Sequence, residues 1–152
     1  MAARALWPIA AAYTRYMRNR YRAYRSGEHP VISLPLPVVV IGNLSVGGTG
    51  KTPLVIHMVQ RARALGYCPG VVLRGYGGSA RKACAVNADS DARIVGDESV
   101  LIARRTGAPV WIGRDRVKAA EALIADTQVD FLISDDGLQH YALERDLEFA
   151  VV

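Results

Sequence analysis

The residues best equipped for chemistry lie in GNLSVGGTGKTP, positions 42–53. A loop that cradles phosphate turns successive backbone N–H groups inward, and it needs glycine where a side chain would block that curl. Gly47, Gly48, Thr49 and Gly50 meet this need. Lys51 follows, placed to reach the β- and γ-phosphates of a nucleotide. Thr52 offers its hydroxyl to Mg²⁺, and the helix that should start there adds N–H donors and the positive end of its dipole. Gly47 to Thr52 are therefore the expected ATP-binding set. The strict P-loop pattern has glycine five residues before Gly50, where this chain has Ser45.

Acidic and basic residues complete the chemical inventory. Asp135 and Asp136 follow the apolar run VDFLIS. A carboxylate at a strand end in a P-loop domain commonly holds Mg²⁺. Adjacent strand residues point opposite ways, so one of the two faces the metal unless the strand has ended. The bland alternative is a capped turn, since Asp-Gly marks turns. Asp97 and Glu98 open the segment GDESVLIARRTG. There they either complement a helix dipole or orient and deprotonate an attacking hydroxyl. Arg74 in LRGYGG, and Arg114 and Arg116 in GRDR, follow strand-like runs. Such arginines bind phosphate with planar forks or pair with nearby carboxylates such as Asp115. Tyr76 and His140 lie near the same cleft without a defined role.

These residues need a scaffold that gathers them. PVVVIGN, the run from Val71 to Leu73, ACAVN, APVWIG, VDFLIS and LEFAVV read as strands. Helices are expected from Thr52 to about Leu65, from GDE to near Gly107, and over RDRVKAAEALIAD. Alternating apolar strands and helices imply an α/β fold, P-loop NTPase-like, with a mostly parallel sheet flanked by helices. Ligands in such sheets bind beyond the C-terminal strand ends, where each motif falls. LEFAVV reads as a core strand with no cap or turn after it, which leads to the expectation of a longer parent protein.

Residues 1–30 contain six arginines and one glutamate, whereas the other 122 residues hold thirteen basic and thirteen acidic side chains. The excess charge of +5 is thus confined to one end. Residues 3–25 read as an amphipathic helix. Leu6, Ile9, Tyr13, Met17, Tyr21 and Tyr24 form one stripe, and Arg15, Arg18, Arg22 and Arg25 another. Arginines mixed with aromatics suit a lipid headgroup surface. The other reading is a helix packed on the protein's own core. Two units follow: residues 1–30 as a membrane-associating helix with the start of a linker, and 31–152 as the nucleotide-binding domain. No run approaches the roughly 20 apolar residues that cross a bilayer. Two cysteines outside any metal-ligand spacing imply no disulfide framework and no zinc site. The confined charge argues against a nucleic-acid-binding face, and nothing in the sequence points to a protein partner.

Taken in order, VVVIGNLSVGGTGKTP, LRGYGG, GDESV, GRDR and SDDGLQH resemble the tetraacyldisaccharide 4′-kinases, which phosphorylate the lipid A precursor. The resemblance covers essentially the whole chain. It implies an ATP- and Mg²⁺-dependent phosphotransferase at the cytoplasmic face of the bacterial inner membrane. Its acceptor is the 4′-hydroxyl of an acylated disaccharide 1-phosphate. It implies Asp97 as the base, Lys51 and Arg74 at the reacting phosphates, and Thr52, Glu98, Asp135 and Asp136 at the metal or its water shell. It also implies a second lobe beyond these residues. The chain departs from the family pattern at Ser99, where proline is common, and at Leu73, where serine often precedes the arginine. From the residues alone, a switch GTPase or a ParA-like ATPase is the competing class. No guanine-reading NKxD motif is present.

Overall fold

The computed structural model describes residues 7–43 and 50–152. Leu6, the side chain of Ile9, and Gly47, Gly48 and Thr49 of the expected ATP-binding set lie outside the described residues. Helix α1 covers Trp7–Arg25, strand β1 Val38–Asn43, helix α2 Lys51–Ala64, β2 Pro69–Leu73 and β3 Cys84–Val86. A short α3 (Ala92–Val95) precedes α4 (Asp97–Thr106), β4 (Val110–Ile112), α5 (Arg116–Asp126), β5 (Phe131–Asp135) and β6 (Leu147–Val151).

The strands form one sheet in the order β3-β4-β2-β5-β1-β6. All neighbours run parallel except β3 against β4. Parallel strands covered on both faces must be apolar throughout, and β-branched residues fill that pleated surface best. β2 is buried along its whole length for this reason. One face packs Ile41, Val71 and Ile133 against Val55 and Val59 of α2 and Ile102 of α4. The other packs Val40, Val72, Trp111 and Leu132 against Ala120 and Leu123 of α5. Deleting a fully buried aliphatic side chain such as Leu123 costs about 2–5 kcal/mol.

Local chemistry sets the helix ends. The carboxylate of Asp115 accepts from the N–H groups of Val117 and Lys118 at 3.1 and 3.3 Å and starts α5. Gly107, at φ 59°, takes the left-handed conformation that ends α4. In register, Val39 pairs with Ile133 and Ile41 with Asp135. β1 therefore runs two residues, Gly42 and Asn43, past the C-terminal end of β5 at Asp135.

Two findings differ from the sequence reading. α3 was not expected, because four residues carry no readable period. It is held by Asp91, whose carboxylate accepts from the Arg93 N–H at 2.9 Å. LEFAVV forms a strand, but an edge strand and not a core one: β6 is exposed along most of its length, with Leu147 49% and Phe149 39% accessible. Its apolar composition records what it can bury, not what covers it. Among the described residues only β1 pairs with it.

α1 is also largely uncovered. Trp7, Tyr13, Tyr16 and Tyr21 are exposed, as are Arg15, Arg18, Arg22 and Arg25. Among its described side chains, Met17, Arg20, Ala23 and Tyr24 are half-buried. Among the described residues the helix contributes no fully buried side chain. It meets the body near its C-terminal end, where the rings of Tyr21 and Tyr24 reach Tyr141. No described helix is long and apolar enough to cross a membrane.

Candidate functional site

The first side chain of α2 joins two distant motifs. Lys51 Nζ donates to Asn43 Oδ1 and to Asp136 Oδ1, each at 2.8 Å. Asn43 is the last residue of β1, so the strand that feeds the loop also fixes the lysine on its far side. Lys51 is held largely out of solvent while Asp136 is exposed. The ammonium is thus held between the end of β1 and the Asp-Asp pair.

Asp135 and Asp136 divide as the pleat requires. Asp135 is the last residue of β5 and is 2% exposed. Asp136 has left the strand with φ 54° and turns toward solvent and Lys51. Burial pushes the Asp135 carboxyl up to about 6. Glu98 and Asp136 add to the rise, while Lys51 and the backbone N–H of Asp136 oppose it. Its Oδ1 has no hydrogen-bond partner among the described residues. A desolvated carboxylate oxygen without a partner is costly. It gains most from a hard cation, whose preferred donors are carboxylate, hydroxyl and water oxygens.

Thr52 Oγ1 donates to Glu98 Oε1, which ties the P-loop threonine to the first turn of α4. Thr52 and Glu98 thus bring two oxygen donors together, and the charge of Glu98 is felt at Asp135; hydroxyl and carboxylate oxygens are the donor types Mg²⁺ prefers. Asp97 sits one residue earlier and is exposed, with its Oδ1 accepting from the Glu98 N–H at 3.0 Å. Gly96 before it has φ 88°, and a Cβ there would lie 2.5 Å from the carbonyl oxygen of Tyr76. That close approach seats the RGYGG loop against the GDE turn. The N–H groups of Ser79 and Ala80 bond the carbonyls of Arg93 and Ile94 at 3.0 and 2.9 Å and hold the two segments together. Ser99 is buried, and its hydroxyl donates to the carbonyls of Val95 and Gly96 at 2.8 Å each. Ser99 thus ties α4 back to the end of α3.

The arginines separate. Arg74 and Arg114 are exposed. Arg116 is 3% exposed, with Nη1 donating to the Gly113 carbonyl at 2.7 Å. Burial brings its guanidinium down to about 10. The charge of Arg74 adds to this, and Asp136 and Asp135 oppose it. Arg116 is thus electrically part of the carboxylate site although it points inward. Asp115 caps α5 and lies 4.0 Å from Lys118, so it serves the helix and not the arginines. His140 is half-buried and Tyr76 is 83% exposed. Sequence reasoning overlooked Asn43. Its signal was a polar side chain ending an apolar strand directly before the loop.

The sequence profile of the tetraacyldisaccharide-1-P 4′-kinases matches residues 2–152. The chain belongs to this family. The tetraacyldisaccharide 4′-kinase of Nitrosococcus oceani is 53% identical over 148 residues, covering 97% of this chain and 44% of the relative. That of Alkalilimnicola ehrlichii is 53% identical over 150 residues, covering 98% and 45%. The crystal structure of the Aquifex aeolicus kinase in complex with ATP aligns with a TM-score of 0.89 at 30% identity. It covers 99% of this chain and 49% of that one. The chain thus spans just under half the length of the tetraacyldisaccharide 4′-kinases it matches. Family membership sets aside the switch GTPase and ParA-like alternatives.

Proposed function

We propose that this chain is the nucleotide-binding half of an enzyme that transfers the ATP γ-phosphoryl group to the 4′-hydroxyl of tetraacyldisaccharide 1-phosphate. The observation that carries the reading is the convergence of three motifs. The P-loop lysine reaches the Asp-Asp pair across 85 positions, and the P-loop threonine reaches the Gly-Asp-Glu turn across 46. Relatives named for this activity and a neighbour crystallised with ATP support it.

In this reading the P-loop backbone binds the phosphates, and Lys51 stabilises charge on the oxygens of the transferring group. Asn43 and Asp136 hold the ammonium in place, so little reorganisation is needed when phosphate arrives. Thr52, Asp135 and Glu98, with Asp136 beside them, would hold Mg²⁺. The ion supplies charge neutralisation across the phosphates when bound. Asp97 accepts the proton of the acceptor hydroxyl. It is suited to this because it faces solvent while its backbone is fixed by Gly96. Arg74, exposed at the end of β2, meets anionic groups arriving from outside.

α1 brings the site to its substrate. Its exposed rings and arginines match a headgroup layer, with the acyl chains of the acceptor remaining in the lipid. The protein is accordingly peripheral to the cytoplasmic face of the inner membrane.

The deciding experiment uses the chain together with the C-terminal half found in its relatives. ATP-dependent transfer to tetraacyldisaccharide 1-phosphate in mixed micelles is expected, with loss in Asp97→Ala. A folded, ATP-binding protein that transfers nothing would overturn the kinase reading. Deleting residues 1–25 is expected to release the protein from vesicles containing anionic lipid; unchanged sedimentation would remove the membrane role from α1.

A further inference from the structure

Three side chains of α1, Arg20, Tyr21 and Tyr24, converge on one ring of the body. Tyr141 receives Tyr21 edge-on at 5.4 Å between centroids and Tyr24 at 5.8 Å. The guanidinium carbons of Arg20 and Arg145 lie 5.7 and 5.9 Å from the centre of the same ring. Ring–ring and cation–ring contacts of this kind are directional, so they transmit orientation as well as attraction.

What lies behind Tyr141 is the turn that leaves the Asp-Asp pair. Arg145 Nη2 donates to the His140 carbonyl at 2.7 Å, Nη1 to the Leu138 carbonyl at 3.3 Å and Nε to the Leu143 carbonyl at 3.3 Å. One guanidinium thus fixes the backbone from Leu138 to Leu143. The turn touches the phosphate site at two places. Asp136, just before it, holds Lys51. Leu138 presses on Gly42 at the end of β1, so closely that a Cβ there would lie 2.4 Å from Leu138 Cγ. The linker after α1 joins the same turn, with the Ile32 N–H bonding the Ala142 carbonyl at 2.7 Å and the Glu144 N–H bonding the Ile32 carbonyl at 2.9 Å.

We propose that Tyr141, braced by Arg145, is a positioning residue that couples the seating of α1 to the alignment of Lys51 and Asp136. The proposal rests on the kinase reading above. A helix held by a lipid surface fixes the Tyr141 ring. The ring fixes the 138–143 turn, and the turn holds the Lys51 partner and the end of β1 in register. Without a lipid surface to hold α1, the constraint on the ring is weaker. Such a chain of packed groups carries coupling only if both ends bias one element, here the turn.

The test uses the full-length protein with Tyr141→Leu, Tyr141→Phe, Tyr21→Leu and the Tyr141→Leu/Tyr21→Leu pair. In mixed micelles, Tyr141→Leu is expected to lower kcat roughly tenfold, the size of one or two lost ring contacts. KM for the acylated acceptor and vesicle sedimentation should stay within about twofold, because neither substrate nor lipid is touched. Tyr141→Phe should retain most of kcat, since it keeps the ring. The pair should lose no more than Tyr141→Leu alone, because both act through one contact. A second readout does not depend on transfer: vesicles should tighten binding of a fluorescent ATP analogue to the wild type and to Tyr141→Phe, but not to Tyr141→Leu. Additive losses, a KM effect without a kcat effect, or nucleotide affinity indifferent to vesicles in the wild type would each overturn the coupling. Absence of transfer in the wild type with the vesicle response intact would count against the kinase reading and leave the coupling standing.

Discussion

The molecule carries two consecutive acidic pairs at its site, and they are built in opposite ways. Asp135 and Asp136 end a strand, and Asp97 and Glu98 begin a helix. In the first pair the leading residue is buried and the second exposed; in the second pair the leading residue is exposed and the second half-buried. The pleat of β5 sends one carboxylate under the sheet end and frees the other for Lys51. The first turn of α4 sends Glu98 onto Thr52 and leaves Asp97 outside. Each pair therefore contributes one inward oxygen donor and one outward group. In the proposed function the inward groups would hold the metal, and the outward groups would face the phosphates and the acceptor. A pair of adjacent acids is not a duplicated function here, because backbone geometry gives the two members different surroundings.

The comparison can be broken most severely at its outward helical member. Asp97→Ala in the full-length protein is expected to lower transfer by roughly 10²–10⁴-fold, as loss of a general base does. ATP affinity and Tm should hold, since the side chain is exposed; a parallel loss of ATP binding would reassign Asp97 to the nucleotide site. The inward strand member should behave otherwise. Asp135→Asn removes a desolvated charge whose Oδ1 has no partner among the described residues. It is expected to raise stability in EDTA by about 1–3 kcal/mol, the cost of such a group. It should also abolish the rise in Tm that Mg²⁺ is expected to give the wild type. Urea unfolding with and without Mg²⁺ reads both effects, and a destabilised Asn variant would contradict the burial argument.

Gly96→Ala probes how the helical pair is held. A Cβ at φ 88°, driven against the Tyr76 carbonyl, should cost on the order of 1–3 kcal/mol. It should also lower transfer by misplacing Asp97, measured as Tm and kcat together. The smallest effect concerns pH. Burial, aided by Arg116, Arg145 and Arg20 and opposed by Asp115, holds His140 below its ordinary 6.5. The fold thus favours the neutral ring, so its contribution to stability is present above pH 6.5 and is lost as pH falls below it. Asp135, raised from 3.8 to about 6, acts in the reverse sense, contributing below 3.8 and losing that contribution as pH rises through about 6. His140→Gln is therefore expected to flatten only the acid side of a stability–pH curve. An unchanged acid limb would show that the ring titrates normally.

Much of this was legible in the sequence because it is local. The glycine-rich loop between an apolar strand and a helix, the Asp-Asp split and the Gly107 helix end each follow from a few neighbouring residues. The exposure of β6 was not legible, because Leu147, Phe149 and Val151 look the same whether or not something covers them. The burial of Arg116 was missed for a related reason. Its charge argued for the surface, and only the fold reveals that it starts α5 beneath the site. The Asn43–Lys51 bond was hidden because seven residues separate two positions that the fold returns to contact.

The press of Leu138 on Gly42 bears on how such sequences diverge. An alanine at position 42 has no room while Leu138 keeps its size, and a smaller residue at 138 leaves a hole beside the loop entrance. Neither change is easily accepted first. The two positions belong to different motifs and are distant along the chain, yet drift at one is gated by the other. Across a lineage, they should change together or not at all.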